Sequence, residues 1–328
     1  MRRVVVSQEA SELELRPPEL VERYRELSER EAVPFFQGKP LVEVPCPFCE
    51  TAEVRSSFGV WGFQYRECSS CGSLYVSPRP AAEHLAAFRR SSESGAFWRG
   101  ILDEIARERY EKVMAPRLQW LCDVTAEHFQ SPVALVDLGG LEPEPLAELT
   151  DTGLFATARA VAPEDSTKPL EPESAAQVAS AFDLLNRSFS PRRLLSAARR
   201  MLAREGLLFL SGRGLGFETQ ILWERPAHLH PIDHLNLPST EALERSLVDN
   251  GFELLELSTP GQLDLEMVAS AAERDGSLVL PRWLSYLIAR RGKAEHEAFQ
   301  EFLQRARLSS HFRVAAQRRA GTDEGTAE

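Results

Sequence analysis

No apolar run in the 328 residues approaches the roughly 20 needed to cross a bilayer as a helix. A cationic surplus is also missing, because 38 Lys and Arg stand against 49 Asp and Glu, a net charge of -11. Sequence-independent nucleic-acid binding needs that surplus to neutralise phosphates, so nucleic acid is not expected as a partner. Behind Met1-Arg-Arg there are only three valines, too short an apolar stretch for a secretory leader. The compartment expected is the reducing cytoplasm, and no membrane partner is expected. Cysteine is scarce at five residues, which excludes a disulfide-rich scaffold. What is present is ordinary. Hydrophobic residues at 43% and charged residues at 27% exclude wholesale disorder, and the length suits about two domains.

Four of the five cysteines stand in two pairs, Cys46-Pro-Phe-Cys49 and Cys68-Ser-Ser-Cys71. Two residues between cysteines let one tight turn aim both sulfurs at the same ion. The pattern C-x2-C-x18-C-x2-C fits a four-thiolate zinc site. Such a site leaves no open coordination position, so zinc is expected as a structural cofactor. Gly72 follows the second pair, where a turn favours positive φ. Val54 to Tyr65 reads as a β-hairpin, rich in Val, Phe, Trp and Tyr. Cys122 falls in a helical stretch and reads as a small core residue.

The spacing predicts an N-terminal helical arm at 1–40 with a helix at Pro18–Arg30, a zinc ribbon at 41–80 and a helical linker at 81–130. From 131 to 318, apolar strand-like runs alternate with helices, as in a parallel, right-handed α/β sheet. The strand candidates are Val133–Leu138, Thr157–Val161, Phe182–Leu185, Leu207–Leu210, Phe252–Leu257 and Phe312–Ala316. A helix is expected over Pro191–Glu205, capped by Ser190 and stopped by Gly206. A second follows Ser239 and stops at Gly251. A helical insertion is expected near 275–307 and a disordered tail over 319–328.

Several stretches together resemble class I S-adenosylmethionine-dependent methyltransferases with an N-terminal zinc ribbon. They include Cys46-Pro-Phe-Cys49, Gly62-Phe-Gln-Tyr-Arg-Glu-Cys68, Leu74-Tyr-Val-Ser-Pro-Arg-Pro80 and Phe97-Trp98. Later come Leu202-Ala-Arg-Glu-Gly-Leu-Leu-Phe-Leu210, His230-Pro-Ile-Asp-His-Leu-Asn236, Ser258-Thr-Pro-Gly-Gln-Leu-Asp264 and Leu308-Ser-Ser-His311. The resemblance implies a Rossmann-like sheet of seven strands, the last antiparallel. It also implies S-adenosylmethionine at a glycine-rich turn after the first strand, with Asp137, Gly139 and Gly140 as its binding residues.

This sequence departs from that pattern at the turn. It reads Asp137-Leu-Gly139-Gly140-Leu141-Glu142-Pro143, with Leu141 and Pro143 where further glycines belong. Ala162 stands where the second strand should end in a carboxylate for the ribose hydroxyls, with Glu164 and Asp165 just beyond. Phe182-Asp-Leu-Leu-Asn-Arg-Ser188 runs almost directly into the next helix, so part of the active-site rim looks deleted. The expectation is a degenerate cofactor site with weak or lost catalysis, a pseudoenzyme in the limit. One alternative is an active methyltransferase with a rearranged turn, acting on a small-molecule or carrier-bound acceptor. Another is a binding or assembly partner of an active enzyme.

Outside the turn, His228, His230 and His234 with Asp233 and Glu224 form the densest titratable cluster. Imidazoles suit general-base work, and His230 and His234 are the expected catalytic pair. A His-x-His pair is also a metal-ligand spacing, and the plain reading is a hydrogen-bonded loop closing the sheet. Gly212-Arg-Gly214-Leu-Gly216 could cradle an anion with Arg213, although a flexible loop is the simpler reading. Trp61, Phe63 and Tyr65 read as packing over the zinc turns, and Arg305 to Arg319 as a solvated face.

Overall fold

A computed structural model describes residues 18–141, 143–161, 175–223 and 229–320. The first part of the arm, the turn at Ala162 with Glu164 and Asp165, Glu224, His228, and the tail from 321 onward lie outside the described residues.

The arm helix α1 spans Pro18–Phe36 and runs beyond Arg30 because Ala32 and Phe36 are buried against the ribbon. Strands β1 (Val54–Val60) and β2 (Phe63–Cys68) form the expected antiparallel hairpin, and β3 (Leu74–Val76) adds to β2. Helices α2 (Ala82–Ser91) and α3 (Glu93–Glu104) follow, then α4 (Ala115–His128) after a π-helical turn.

The α/β body comprises β4 (Val133–Asp137), α5 (Pro143–Asp151), β5 (Phe155–Ala160), β6 (Ala176–Phe182), α6 (Pro191–Met201) and β7 (Leu202–Arg213). It continues through β8 (Asn236–Leu237), α7 (Thr240–Asp249) and β9 (Phe252–Ser258). Helices α8 (Asp264–Arg274), α9 (Arg282–Arg290) and α10 (Lys293–Arg305) precede the last strand, β10 (His311–Arg318).

The main sheet runs β9-β10-β7-β6-β4-β5. Its four strands β7, β6, β4 and β5 are parallel, and β10 enters antiparallel between β7 and β9. Six strands are found among the described residues, against the seven implied by the resemblance. Both faces are covered, one by the α6 and α7 side and the other by the α4 and α5 side, so the central strands read as continuous apolar runs. Burial of Leu194, Leu195, Ala198 and Met201 holds α6 to the sheet, and Ser190 caps it by accepting from the Arg193 N–H.

Two element bounds are corrected. The strand expected at Phe182–Leu185 ends at Phe182, because Asp183 takes a left-handed φ of 57° and Leu184–Arg187 forms a helical turn. Helix α6 stops at Met201, well before Gly206. Leu202 already pairs with Ala176, and the chain bulges before Leu207 resumes pairing with Val178.

The ribbon is bonded into the body. Strand β8 pairs antiparallel with β3, so the order is β8-β3-β2-β1. Ser239, the N-cap of α7, donates its hydroxyl proton to the Cys71 carbonyl at 2.6 Å while accepting from the Ala242 N–H.

Candidate functional site

The two cysteine turns bring Cys46, Cys49, Cys68 and Cys71 together, their sulfurs all within 4.8 Å of one another. Two of the separations are 3.5 Å, Cys46 to Cys71, and 3.4 Å, Cys49 to Cys68. A tetrahedral zinc bonded at about 2.3 Å separates its sulfurs by roughly 3.8 Å, so the donor set and spacing fit zinc. Gly72, at φ 71°, lets its N–H reach the Cys68 carbonyl, and Glu50 at φ 61° closes the other turn onto Cys46. Phe48 and Tyr75 are buried around the sulfurs and exclude water.

At the end of β4, the buried Asp137 carboxylate accepts hydrogen bonds from the Gly139 N–H (2.8 Å), the Leu141 N–H (2.9 Å) and the Ser180 hydroxyl (2.7 Å). Burial pushes this carboxyl up, and those donors pull it back. Gly139 has φ 99°, and a Cβ on Gly140 would lie 2.6 Å from the Phe182 carbonyl oxygen, so this part of the turn requires glycine. Beyond it the turn does not. The Leu141 side chain packs into the core with Leu146, Leu149 and Phe155. Pro143 opens α5, where a missing N–H costs no intrahelical bond.

Gly139 and Gly140 border a cavity of about 960 Å³ that also reaches Asp183, Arg187, His230 and Asp264. Leu141 also lines it, whereas Pro143 does not. Helix α1 contributes Tyr24, and α3 contributes Trp98, so the N-terminal region walls the same space.

The cavity brings His230 and His234 together with Asp233. Tyr24 stacks on His230 with centroids 4.7 Å apart, and Trp61 meets the same ring edge-on at 4.5 Å. Burial holds His230 down to about 4 and His234 well below the usual imidazole value, so both are neutral at pH 7. The His230 backbone N–H donates to Nδ1 of His234, which leaves the Nε2 of His234 to carry its proton. Nδ1 of His230 lies 3.3 Å from Asp233, and among the described residues neither ring nitrogen, both buried, has a hydrogen-bond partner. Burial opposes ionisation of Asp233, but His230, Arg89 and Arg187 outweigh it and hold the carboxyl well below its usual range. The Tyr24 hydroxyl donates to Asp233 at 2.7 Å.

A second polar group was not anticipated. Arg117 of α4 is buried, donates to Asp183 at 2.6 Å and to Nε2 of His311 at 3.1 Å. Burial pushes the Asp183 carboxyl up, and the Arg117 guanidinium reverses this to well below its usual range. Asp183 and His311 lay in stretches already singled out, but nothing local marks Arg117, or Tyr24 and Arg89, as more than helix residues.

Other expectations are corrected. Arg213 is buried at the end of β7 and ion-paired with Glu218, so Gly212–Gly216 is neither a flexible loop nor a cradle with a spare cation. Phe63 and Tyr65 are buried as expected for packing residues. The Arg305–Arg319 run is not uniformly solvated. Arg313 is buried, its guanidinium 4.6 Å from the Trp120 ring centroid.

Residues 112–257 match the family model described as a methyltransferase domain. No curated protein matches the chain. Among solved structures, the chain is similar to geranyl diphosphate C-methyltransferase from Streptomyces coelicolor A3(2), crystallised with Mg2+, geranyl diphosphate and S-adenosyl-L-homocysteine. The identity is 15%, over 61% of this chain and 78% of that one, with a TM-score of 0.36. It is also similar to the mycolic acid cyclopropane synthase CmaA1, at 12% identity over 65% of this chain and 88% of that one, with a TM-score of 0.38.

Proposed function

We propose, on the premise that residues 112–257 are a domain of the methyltransferase family, that the protein binds S-adenosylmethionine through a rearranged turn and transfers methyl groups weakly or not at all. One observation carries the binding half. Of the two residues that replace glycines, Pro143 starts α5 away from the cavity lining, and Leu141 buries its side chain in the core at the cavity's edge, so the space beside Gly139 and Gly140 stays open. Asp137, Gly139 and Gly140 would hold the cofactor, which when bound supplies an electrophilic methyl group.

Weak transfer follows from the two histidines. A general base works best with a pKa near the operating pH, and His230 at about 4 is a poor proton acceptor at pH 7. The free Nε2 of His230 orients an acceptor by hydrogen bonding more readily than it deprotonates one. Asp233, held in place by Tyr24 and Arg89, stands 3.3 Å from the Nδ1 of that ring. The four-thiolate site binds zinc that folds the ribbon without joining the chemistry.

Calorimetry with S-adenosylmethionine and S-adenosylhomocysteine tests the reading. Saturable heat at micromolar ligand is expected, and no heat at millimolar ligand would sink it.

A further inference from the structure

The stretch from 276 to 294 carries Arg282, Arg290, Arg291 and Lys293 and not one Asp or Glu, inside a chain whose net charge is -11. Among the described residues it also holds the most exposed large apolar side chain. Val279 is 89% exposed in the loop before α9, and Trp283 and Tyr286 on α9 are more than half exposed. Leu284 of α9 is fully buried, and Leu287 and Ile288 pack with it against Leu265 and Val268 of α8. That contact fixes which face of α9 turns outward. Trp283, Tyr286 and Arg290 stand at i, i+3 and i+7, so they share one face, and the Arg291 guanidinium lies 5.2 Å from the Tyr286 ring centroid.

Scattered exposed hydrophobics need no explanation, but an apolar loop tip continued by a Trp–Tyr stripe and flanked by Arg282, Arg290 and Arg291 does, while Lys293 is paired with Glu297 at 3.6 Å. The geometry points to a docking surface for an anionic lipid bilayer, with Val279, Trp283 and Tyr286 entering the headgroup region and Arg282, Arg290 and Arg291 meeting lipid phosphates. Indole and phenol rings favour that depth, since one end is apolar and the other polar. Charge selects the occupant. A symmetric contact with a second copy would oppose three arginines to three arginines, whereas an anionic surface attracts each of them. Acidic groups more than about 10 Å away are screened at ordinary salt, and the nearer Glu297 is already paired with Lys293. No spanning helix is needed or present among the described residues. The surface is a peripheral one, and it stands against the expectation of no membrane partner.

The full chain should co-sediment at low salt with vesicles of phosphatidylcholine containing about one third phosphatidylglycerol, and not with phosphatidylcholine alone. Arg290→Gln with Arg291→Gln should weaken binding about 30-fold, at roughly fivefold per cation near the surface. Trp283→Ser with Tyr286→Ser should weaken it and remove a blue shift of tryptophan emission. The charge variant leaves the Leu284 contact intact, so it reads the surface even where the aromatic variant disturbs α9. Binding to neither vesicle, or binding unchanged in the charge variant, overturns the proposal. Retention on immobilised polyglutamate without vesicle binding also overturns it, and assigns the surface to an acidic protein.

Discussion

His230 concentrates the residue-scale chemistry. A buried neutral imidazole whose Nε2 has no partner is costly, and it stays because Tyr24 and Trp61 pack its ring and Asp233 stands beside it. The consequence for stability has a definite sign. An imidazole in the unfolded chain titrates near 6.5, whereas His230 does so at about 4 and His234 well below its usual value. As pH falls through 6.5 the unfolded chain takes up protons that the folded chain refuses. Stability should therefore be full above about 6.5 and decline toward pH 4, by about 3 kcal/mol for His230 alone. Urea unfolding from pH 7 to 4.5 should show this slope, and His230→Gln should flatten it in part while His234 retains the remainder. An identical slope in that variant would refute the assignment. Candidacy was visible here in the sequence, in the clustering of His228, His230 and His234 with Asp233 and Glu224. The depression was not, because desolvation comes from Tyr24, two hundred residues away, and from the ribbon.

Among the elements, the turn after β4 shows how a motif can lose its letters and keep its backbone. Glycine is required where the chain has φ 99° at Gly139 and where Gly140 abuts the Phe182 backbone. At Leu141 the required feature is the N–H donated to Asp137, which any residue except proline supplies. Its side chain is then free to fill the core. Leu141→Ala should cost about 2–5 kcal/mol in urea unfolding as a cavity in that core. It should leave S-adenosylmethionine affinity unchanged by calorimetry. A gain in affinity would mean that Leu141 obstructs the ligand and would refute the open turn. The ribbon hairpin, α7 and the edges of β4 were legible from local signals: alternating apolar residues, Ser239 before its helix, and Gly139 after the strand. The ends of β6 and α6 were not. Asp183 breaks its strand to meet Arg117, and Leu202 leaves its helix to pair with Ala176, both choices made by distant partners.

At the scale of the molecule, ribbon and body behave as one unit. Strand β8 pairs with β3, Tyr65 donates to the His234 carbonyl at 2.8 Å, and the Val76 N–H donates to the Leu235 carbonyl at 2.9 Å. The zinc turns are thus wired to the loop that carries both histidines. Removing zinc with a chelator should do more than unfold residues 41–80, since metal binding energy is folding energy here. It should return the His230 and His234 titrations toward 6.5, read by NMR of the imidazole protons, together with a lower melting temperature. Unchanged histidine titrations after zinc loss would show that ribbon and body are independent. The sequence by itself determined the cysteine quartet, the alternation of strands and helices, and the glycines of the turn, because each depends on spacing or on a single residue's conformational freedom. Tertiary structure alone decided that Leu141 packs into the core at the edge of the cavity, that Arg313 is buried under Trp120, and that helix α1 walls the same cavity as the β4 turn. Those outcomes depend on which surfaces meet across the fold, and burial and charge pairing between distant segments leave no local trace.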